Sequence, residues 1–198
     1  MTQKIKLTDG CPNGCQYCYE PKIPTKYYPM PEIKEKEIQI LDMNFLSNPE
    51  WEKHAIELHG KGCITELVCG IDYRLLEQEK ANILFNSGFI KVRWAWDYTF
   101  ADQKKHQRVW RMLTKAGYKS ETLSCFILVN WKIPYVDCCK KLDLLKVWNV
   151  KVNDCCYNGG YKLAKPIYWT PEQIKKYRSM CRKHNQLVGF KIDPELIS

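Results

Sequence analysis

A chain of 198 residues, 45% of them hydrophobic and 27% charged, has enough apolar material for a full core and too much of it to be disordered. No window approaches the roughly 18 apolar residues of a membrane span, and MTQKIKLTDG at the start has no apolar signal core, so no membrane contact is expected and the expected location is the cytoplasm. The formal net charge of +9 leaves RNA open as a partner, but the basic residues are spread over predicted helices, where solvated faces are their usual origin.

Taken in order, the predicted elements alternate. KIKL (4–7) reads as a short strand running into a loop that carries three cysteines. IKEKEIQILDMNF (33–45) ends in an apolar run that suits a strand at 38–45, and Pro49 after Ser47 and Asn48 suits a helix start. ITELVCGI (64–71) is the next strand, and RLLEQEKANILFNSG (74–88) is a helix closed by Gly88. IKVRWAWD (90–97) follows as strand, DQKKHQRVWRMLTKAG (102–117) as helix, and TLSCFILVN (122–130) as strand. A helix opens at Pro134, VKVND (150–154) is the sixth strand, and TPEQIKKYRSMCRKHN (170–185) is a helix with Thr170 as N-cap and Pro171 in its first turn.

Six strand–helix units in alternation imply an α/β fold of parallel strands joined by right-handed crossovers, expected here as a single domain over 1–198. Six units are fewer than the eight of a closed barrel of about 250 residues. A partial (β/α)6 barrel or an open sheet fits, and in either the chemistry belongs at the carboxyl ends of the strands. In IKVRWAWD, Ile90, Val92, Trp94 and Trp96 share one face and Lys91, Arg93, Ala95 and Asp97 the other. That polar face suits either a substrate cavity or an edge strand with one wet side.

The chain has eleven cysteines, an odd count with no secretion signal, which argues against a disulfide framework. Eight of them, at 63, 69, 125, 138, 139, 155, 156 and 181, read mostly as small buried hydrophobes. The other three sit in CPNGCQYCYE (11–20), where Cys11, Cys15 and Cys18 form a C-x3-C-x2-C run. Structural zinc takes four closed ligands, usually from paired C-x2-C units, and no second pair answers this one; Cys138–Cys139 or Cys155–Cys156 would have to add a distant ligand. A cubane cluster has four irons and usually four cysteines, so three cysteines leave one iron open to an exogenous ligand.

The segment Cys11-Pro-Asn-Gly-Cys15-Gln-Tyr17-Cys18 resembles the signature of the radical S-adenosylmethionine (radical SAM) superfamily, C-x3-C-x-aromatic-C, with Tyr17 at the aromatic position. The motif covers under a tenth of the chain, whereas the partial (β/α)6 barrel of the radical SAM core type would cover nearly all of it. The resemblance implies that Cys11, Cys15 and Cys18 hold a [4Fe-4S] cluster. The open iron would be chelated by SAM, whose reductive cleavage gives a 5′-deoxyadenosyl radical that abstracts hydrogen from a substrate. It also implies a reductant such as flavodoxin or ferredoxin, and sensitivity to oxygen.

Further cofactor contacts are carried over position by position. The Gly-Gly-Glu stretch common at the end of strand two is replaced by Leu41-Asp42-Met43-Asn44-Phe45, where Asp42 and Asn44 could accept from the SAM ammonium. Arg74, in Gly70-Ile71-Asp72-Tyr73-Arg74, is the candidate for the SAM carboxylate, with a capping salt bridge to Asp72 or Glu77 as its plainer role. Asp97 and Asn130 end strands four and five, where the family contacts ribose and methionine and where turn chemistry is equally at home. Catalytic residues beyond these are unassigned. His54, His59, His106 and His184 do not pair at metal spacing and read as surface or capping residues. The substrate class stays open between a small metabolite, a peptide and an RNA base. The alternative without catalysis is a zinc-stabilised module that binds nucleic acid or protein.

Overall fold

The computed structural model describes residues 1–19, 23–159 and 165–190. The chain is α/β with parallel sheets and divides into two compact units, Met1–Ala95 with Lys105–Tyr118, and Trp96–Lys104 with Lys119–Ser198.

The first unit opens with β1 (Thr2–Ile5), β2 (Thr8–Asp9), β3 (Lys26–Tyr27) and β4 (Glu37–Ile40). It continues through α1 (Trp51–Gly60), β5 (Ile64–Leu67), α2 (Gln78–Asn86) and β6 (Phe89–Ile90), and β7 (Arg93–Trp96) up to Ala95 and most of α3 (Gln103–Ala116) belong to it. Its sheet has the order β1-β4-β5-β6, parallel throughout, with Ile5 opposite Ile40 and Ile40 opposite Leu67. Strand alternation turns Ile38, Ile40, Leu67 and Phe89 inward, where Ala55 and Leu58 of α1 and Ala81 and Leu84 of α2 are buried as well. Phe45 stands 5.7 Å from Phe89 and 6.4 Å from Trp51, ring centre to ring centre.

The alternation departs from expectation in three places. Among the described residues no helix lies between β1 and β4, because Gly10, Gly14 and prolines at 12, 21, 24, 29 and 31 punctuate the stretch; β2 and β3 pair antiparallel there instead. The strand expected at 38–45 stops at Ile40, and Phe45–Ser47 forms a 3-10 turn. The strand expected at 90–97 is broken at Lys91, whose φ of +51° lies in the left-handed region. Thr65 pairs with Phe89, but Ile71 pairs with Trp94, a slip of one residue in register. The slip corrects the predicted face: Val92, Trp94 and Trp96 are buried as expected, but Phe89 replaces Ile90, which is exposed. On the opposite face Gln39, Glu66 and Arg93 form a polar row across β4, β5 and β7, in which Glu66 accepts from both Gln39 and Arg93.

The second unit contains β8 (Ser124–Val129), α4 (Tyr135–Val147), β9 (Lys151–Cys156) and α5 (Pro171–Leu187). The two strands pair in parallel from Ser124 opposite Lys151 to Val129 opposite Cys156. Cys125, Ile127, Val129 and Val152 are buried, as are Cys138, Leu142 and Leu145 of α4 and Tyr177 and Cys181 of α5. The start of α5 matches the sequence: Thr170 caps it, Gln173 completes the reciprocal capping box, and Pro171 lies in the first turn. Lys141 of α4 is fully buried. Its ammonium donates to Trp96 O at 3.0 Å and lies 5.6 Å from the centre of the Trp96 indole.

The histidine expectation is corrected at three of four positions. His54, His106 and His184 are buried on the packed faces of their helices, and His184 Nε2 lies 2.7 Å from Val150 O. Of the eight cysteines outside the run, Cys63, Cys125, Cys138 and Cys181 are buried, Cys69, Cys139 and Cys156 are half-buried, and Cys155 is exposed. No helix among the described residues is long and apolar enough to cross a membrane.

Candidate functional site

The cysteine run occupies the loop that leaves β2. Gly10 opens it at φ +72°, and a Cβ there would meet Ile23 O at 3.0 Å, so this corner requires glycine twice over, by conformation and by space. Gly14 also has a left-handed φ, of +54°, in open space. Cys18 N donates to Cys15 O at 3.2 Å and closes a turn. Cys11, Cys15 and Cys18 are free thiols, half-buried like Tyr17.

What anchors the loop is Asp72, which sequence reasoning treated only as a salt-bridge partner. Its Oδ2 accepts from Asn13 Nδ2 at 2.8 Å, from Asn44 Nδ2 at 2.9 Å and from Arg74 Nη2 at 2.9 Å. Its Oδ1 accepts from Arg74 Nε at 2.8 Å and from Arg74 N at 3.1 Å. One carboxylate thus ties the cysteine loop to the stretch after β4 and to the turn before α2. Burial pushes the Asp72 carboxyl up, but the bonds from Arg74 and Asn13 outweigh it and hold it below the usual carboxylate range. The Asp72 contact raises the Arg74 guanidinium, and the charge of Cys15 adds to the effect, which puts Arg74 near the cysteine loop.

Of the predicted cofactor contacts, Asn44 and Arg74 are therefore brought together with the cysteine loop. Asn44 is buried, and its Oδ1 has no hydrogen-bond partner among the described residues. Asp42 Oδ1 accepts from Leu7 N at 2.8 Å and fixes the exit of β1, its Oδ2 is buried with no hydrogen-bond partner among the described residues, and burial pushes its carboxyl up.

Asp97 and Asn130 lie in the second unit. Asp97 follows the last residue of β7, half-buried, and its charge acts on the ammonium of Lys141. Asn130 is fully buried at φ +56°, and its side chain organises a loop. Nδ2 donates to Tyr157 O at 2.7 Å and to Lys165 O, while Oδ1 accepts from the backbone N–H groups of Ile167, Tyr168 and Trp169 at 2.9, 3.1 and 3.3 Å. Both its amide groups are thereby committed to backbone.

The donor set suits an iron–sulfur cluster by chemistry: three soft thiols in one loop, beside a buried acceptor that lacks a partner. The sulfurs are not gathered; among the described residues no group of three or more Cys, His, Asp or Glu side chains is placed to hold a metal ion. Sequence reasoning missed Asn13 and Lys141. Asn13 lies inside the recognised motif at a position the motif leaves unspecified, and Lys141 shows no pattern that separates it from the exposed lysines of α4.

No family model matches the chain, and no curated protein matches it.

Proposed function

We propose that this chain is a radical SAM enzyme in which Cys11, Cys15 and Cys18 hold a [4Fe-4S] cluster, and that its parallel strands belong to a partial (β/α)6 barrel. The observation that carries this reading is the C-x3-C-x-Tyr-C run of free, half-buried thiols in a loop that Asn13 and Asp72 join to Asn44 and Arg74. When bound, the cluster with SAM at its open iron supplies the electron and the adenosyl group for a 5′-deoxyadenosyl radical. Cys11, Cys15 and Cys18 would be the thiolate ligands, and Tyr17 would border the same loop. Asn44 Oδ1 offers an acceptor for the SAM ammonium, and Arg74 offers a cation to its carboxylate while Asp72 holds it in place. A reductant such as flavodoxin or ferredoxin would supply electrons, and a reducing compartment suits eleven free cysteines.

The test is anaerobic reconstitution with iron and sulfide, followed by assay of 5′-deoxyadenosine formed from SAM and dithionite. About four irons per chain and turnover of SAM are expected. A colourless zinc protein, or a Cys15→Ala variant that still assembles the full cluster and cleaves SAM, would overturn the assignment.

A further inference from the structure

The second unit carries a group of aromatic side chains that the cofactor chemistry does not use. At the carboxyl ends of β8 and β9, the rings of Trp131, Tyr157 and Tyr168 meet: Trp131 lies 4.5 Å from Tyr157 and 5.5 Å from Tyr168, both edge to face, and the two tyrosines are 6.3 Å apart. Tyr168 is 44% exposed, and Trp131 and Tyr157 are half-buried. The group is held by the side chain of Asn130, which bonds Tyr157 O and Tyr168 N and directly precedes Trp131. A buried residue in a left-handed conformation, with its amide saturated by backbone, fixes an aromatic group whose Tyr168 ring is exposed. Such rigidity is more than packing of partly exposed rings requires, and it suits preorganised stacking.

Cations border these rings. Lys132 Nζ stands 5.7 Å from the centre of the Trp131 ring. The loop that presents Tyr168 also contributes Pro166 to a groove of about 380 Å³ on α5, lined further by Pro171, Ile174, Lys175, Arg178 and Arg182. Arg178 is paired with Asp154 at 2.9 Å, whereas Lys175 and Arg182 have no acidic partner among the described residues. Cations in a groove that the Tyr168 loop also lines, together with the exposed Tyr168 ring, match the two needs of a single nucleic-acid strand, phosphate neutralisation and base stacking. The chain's charge of +9 has the same sign of complementarity.

We propose that this surface binds single-stranded nucleic acid, with bases stacked on Trp131 and Tyr168 and phosphates along Lys175 and Arg182. Joined to the radical SAM reading, on which only this step rests, it makes a nucleobase the substrate class. Binding requires neither iron nor SAM. A failed binding test therefore leaves the cofactor assignment intact, and a failed SAM assay leaves the binding surface intact.

The experiment measures anisotropy of a labelled RNA strand of about 15 nucleotides, the upper end of typical site sizes, with the full chain, against DNA of the same sequence and the RNA duplex. The single strand is expected to bind more tightly than the duplex, and the RNA and DNA arms show which backbone is preferred. Trp131→Ala and Tyr168→Ala should each weaken binding about five- to a hundredfold, while Trp131→Phe and Tyr168→Phe retain it. Lys175→Gln and Arg182→Gln should each lower the slope of log affinity against log salt by about 0.7. Several results would overturn the proposal: no binding at low salt, a duplex bound as tightly as the strand, alanine variants with parental circular dichroism that bind like the parent, or polyglutamate displacing the strand charge for charge. Should the alanine variants fail to fold, Trp131→Leu takes their place, because it keeps an apolar side chain at the position and removes the aromatic face.

Discussion

Asp72→Ala is the sharpest probe of how the cysteine loop is held. The carboxylate is 6% exposed and accepts from two side-chain amides, those of Asn13 and Asn44, each at 2.9 Å or less. A hydrogen bond to a charged group contributes about 1.5–3 kcal/mol. The Arg74 pair adds at most about 1 kcal/mol, because its guanidinium side chain is 44% exposed and screened by water. Asn13 is half-buried and recovers part of its loss by hydration. The expected destabilisation is therefore about 3 kcal/mol in urea unfolding, and Asp72→Asn, which keeps the shape and loses the charge, should fall about midway. The same variant should raise the alkylation rates of Cys11, Cys15 and Cys18 read by mass spectrometry, with buried Cys63 as the control for global unfolding. The pH dependence follows from the direction of the shift. The folded carboxyl lies below its unfolded value of about 3.9, so its contribution is fully present above that value and is lost as pH falls through the folded one. The parent should thus lose its advantage over Asp72→Ala in acid. A loss under about 0.5 kcal/mol, with alkylation of the three cysteines unchanged, would refute the anchoring role.

Asn130→Ala removes five backbone contacts and puts a side chain that disfavours left-handed backbone at φ +56°. A loss of about 3 kcal/mol is expected in thermal or urea unfolding, with faster hydrogen exchange at the amides of Ile167, Tyr168 and Trp169, and Asn130→Gly should recover about 1 kcal/mol of it by relieving the backbone. Burial depresses the Lys141 ammonium below its ordinary value. The unfolded chain then holds more protons than the folded one between the folded value and about 10.4, so the lysine's penalty is relieved as pH rises through that window. Lys141→Met should be about as stable as the parent or more so near neutrality, and its advantage should shrink as pH rises from neutrality toward about 10.4. An advantage that stays constant across that range would show that the lysine does not titrate differently on folding.

Much of the architecture was legible because the strands and helices follow two different periods. The strand expected in ITELVCGI forms as β5 over its first four residues, and the capping pattern Thr170-Pro171 with Gln173 marks the start of α5 at the expected residue. The misread places share a cause, a backbone that turns against the local pattern. Alternation in IKVRWAWD was sound on either side of Lys91, but no sequence signal marks a lysine that adopts positive φ, and one slipped residue exchanged Phe89 for Ile90 in the core. The site divides in the same way. The cysteines are legible because their spacing is the signal. The roles of Asp42 and Asn130 are not, since a polar residue at a strand end has the same appearance whether it faces a ligand or caps its own backbone. Only the placement of each amide and carboxyl oxygen separates the two.

The polar row of Gln39, Glu66 and Arg93, on β4, β5 and β7, sets the character of one face of the first unit. The Arg93 side chain is 17% exposed and the Glu66 side chain 13%, and they pair directly while Gln39 donates to Glu66 at 3.2 Å. Burial pushes the Glu66 carboxyl up, but Gln39 and the charges of Arg93 and Lys91 outweigh it, so the pair stays ionised at neutral pH. A hydrocarbon-filled interior would place an ion pair there at a desolvation cost that hydrophobic replacements avoid. The row therefore suits a face that meets water or a polar ligand. With the charges nearly balanced, such a face recognises by hydrogen bonds and not by net attraction.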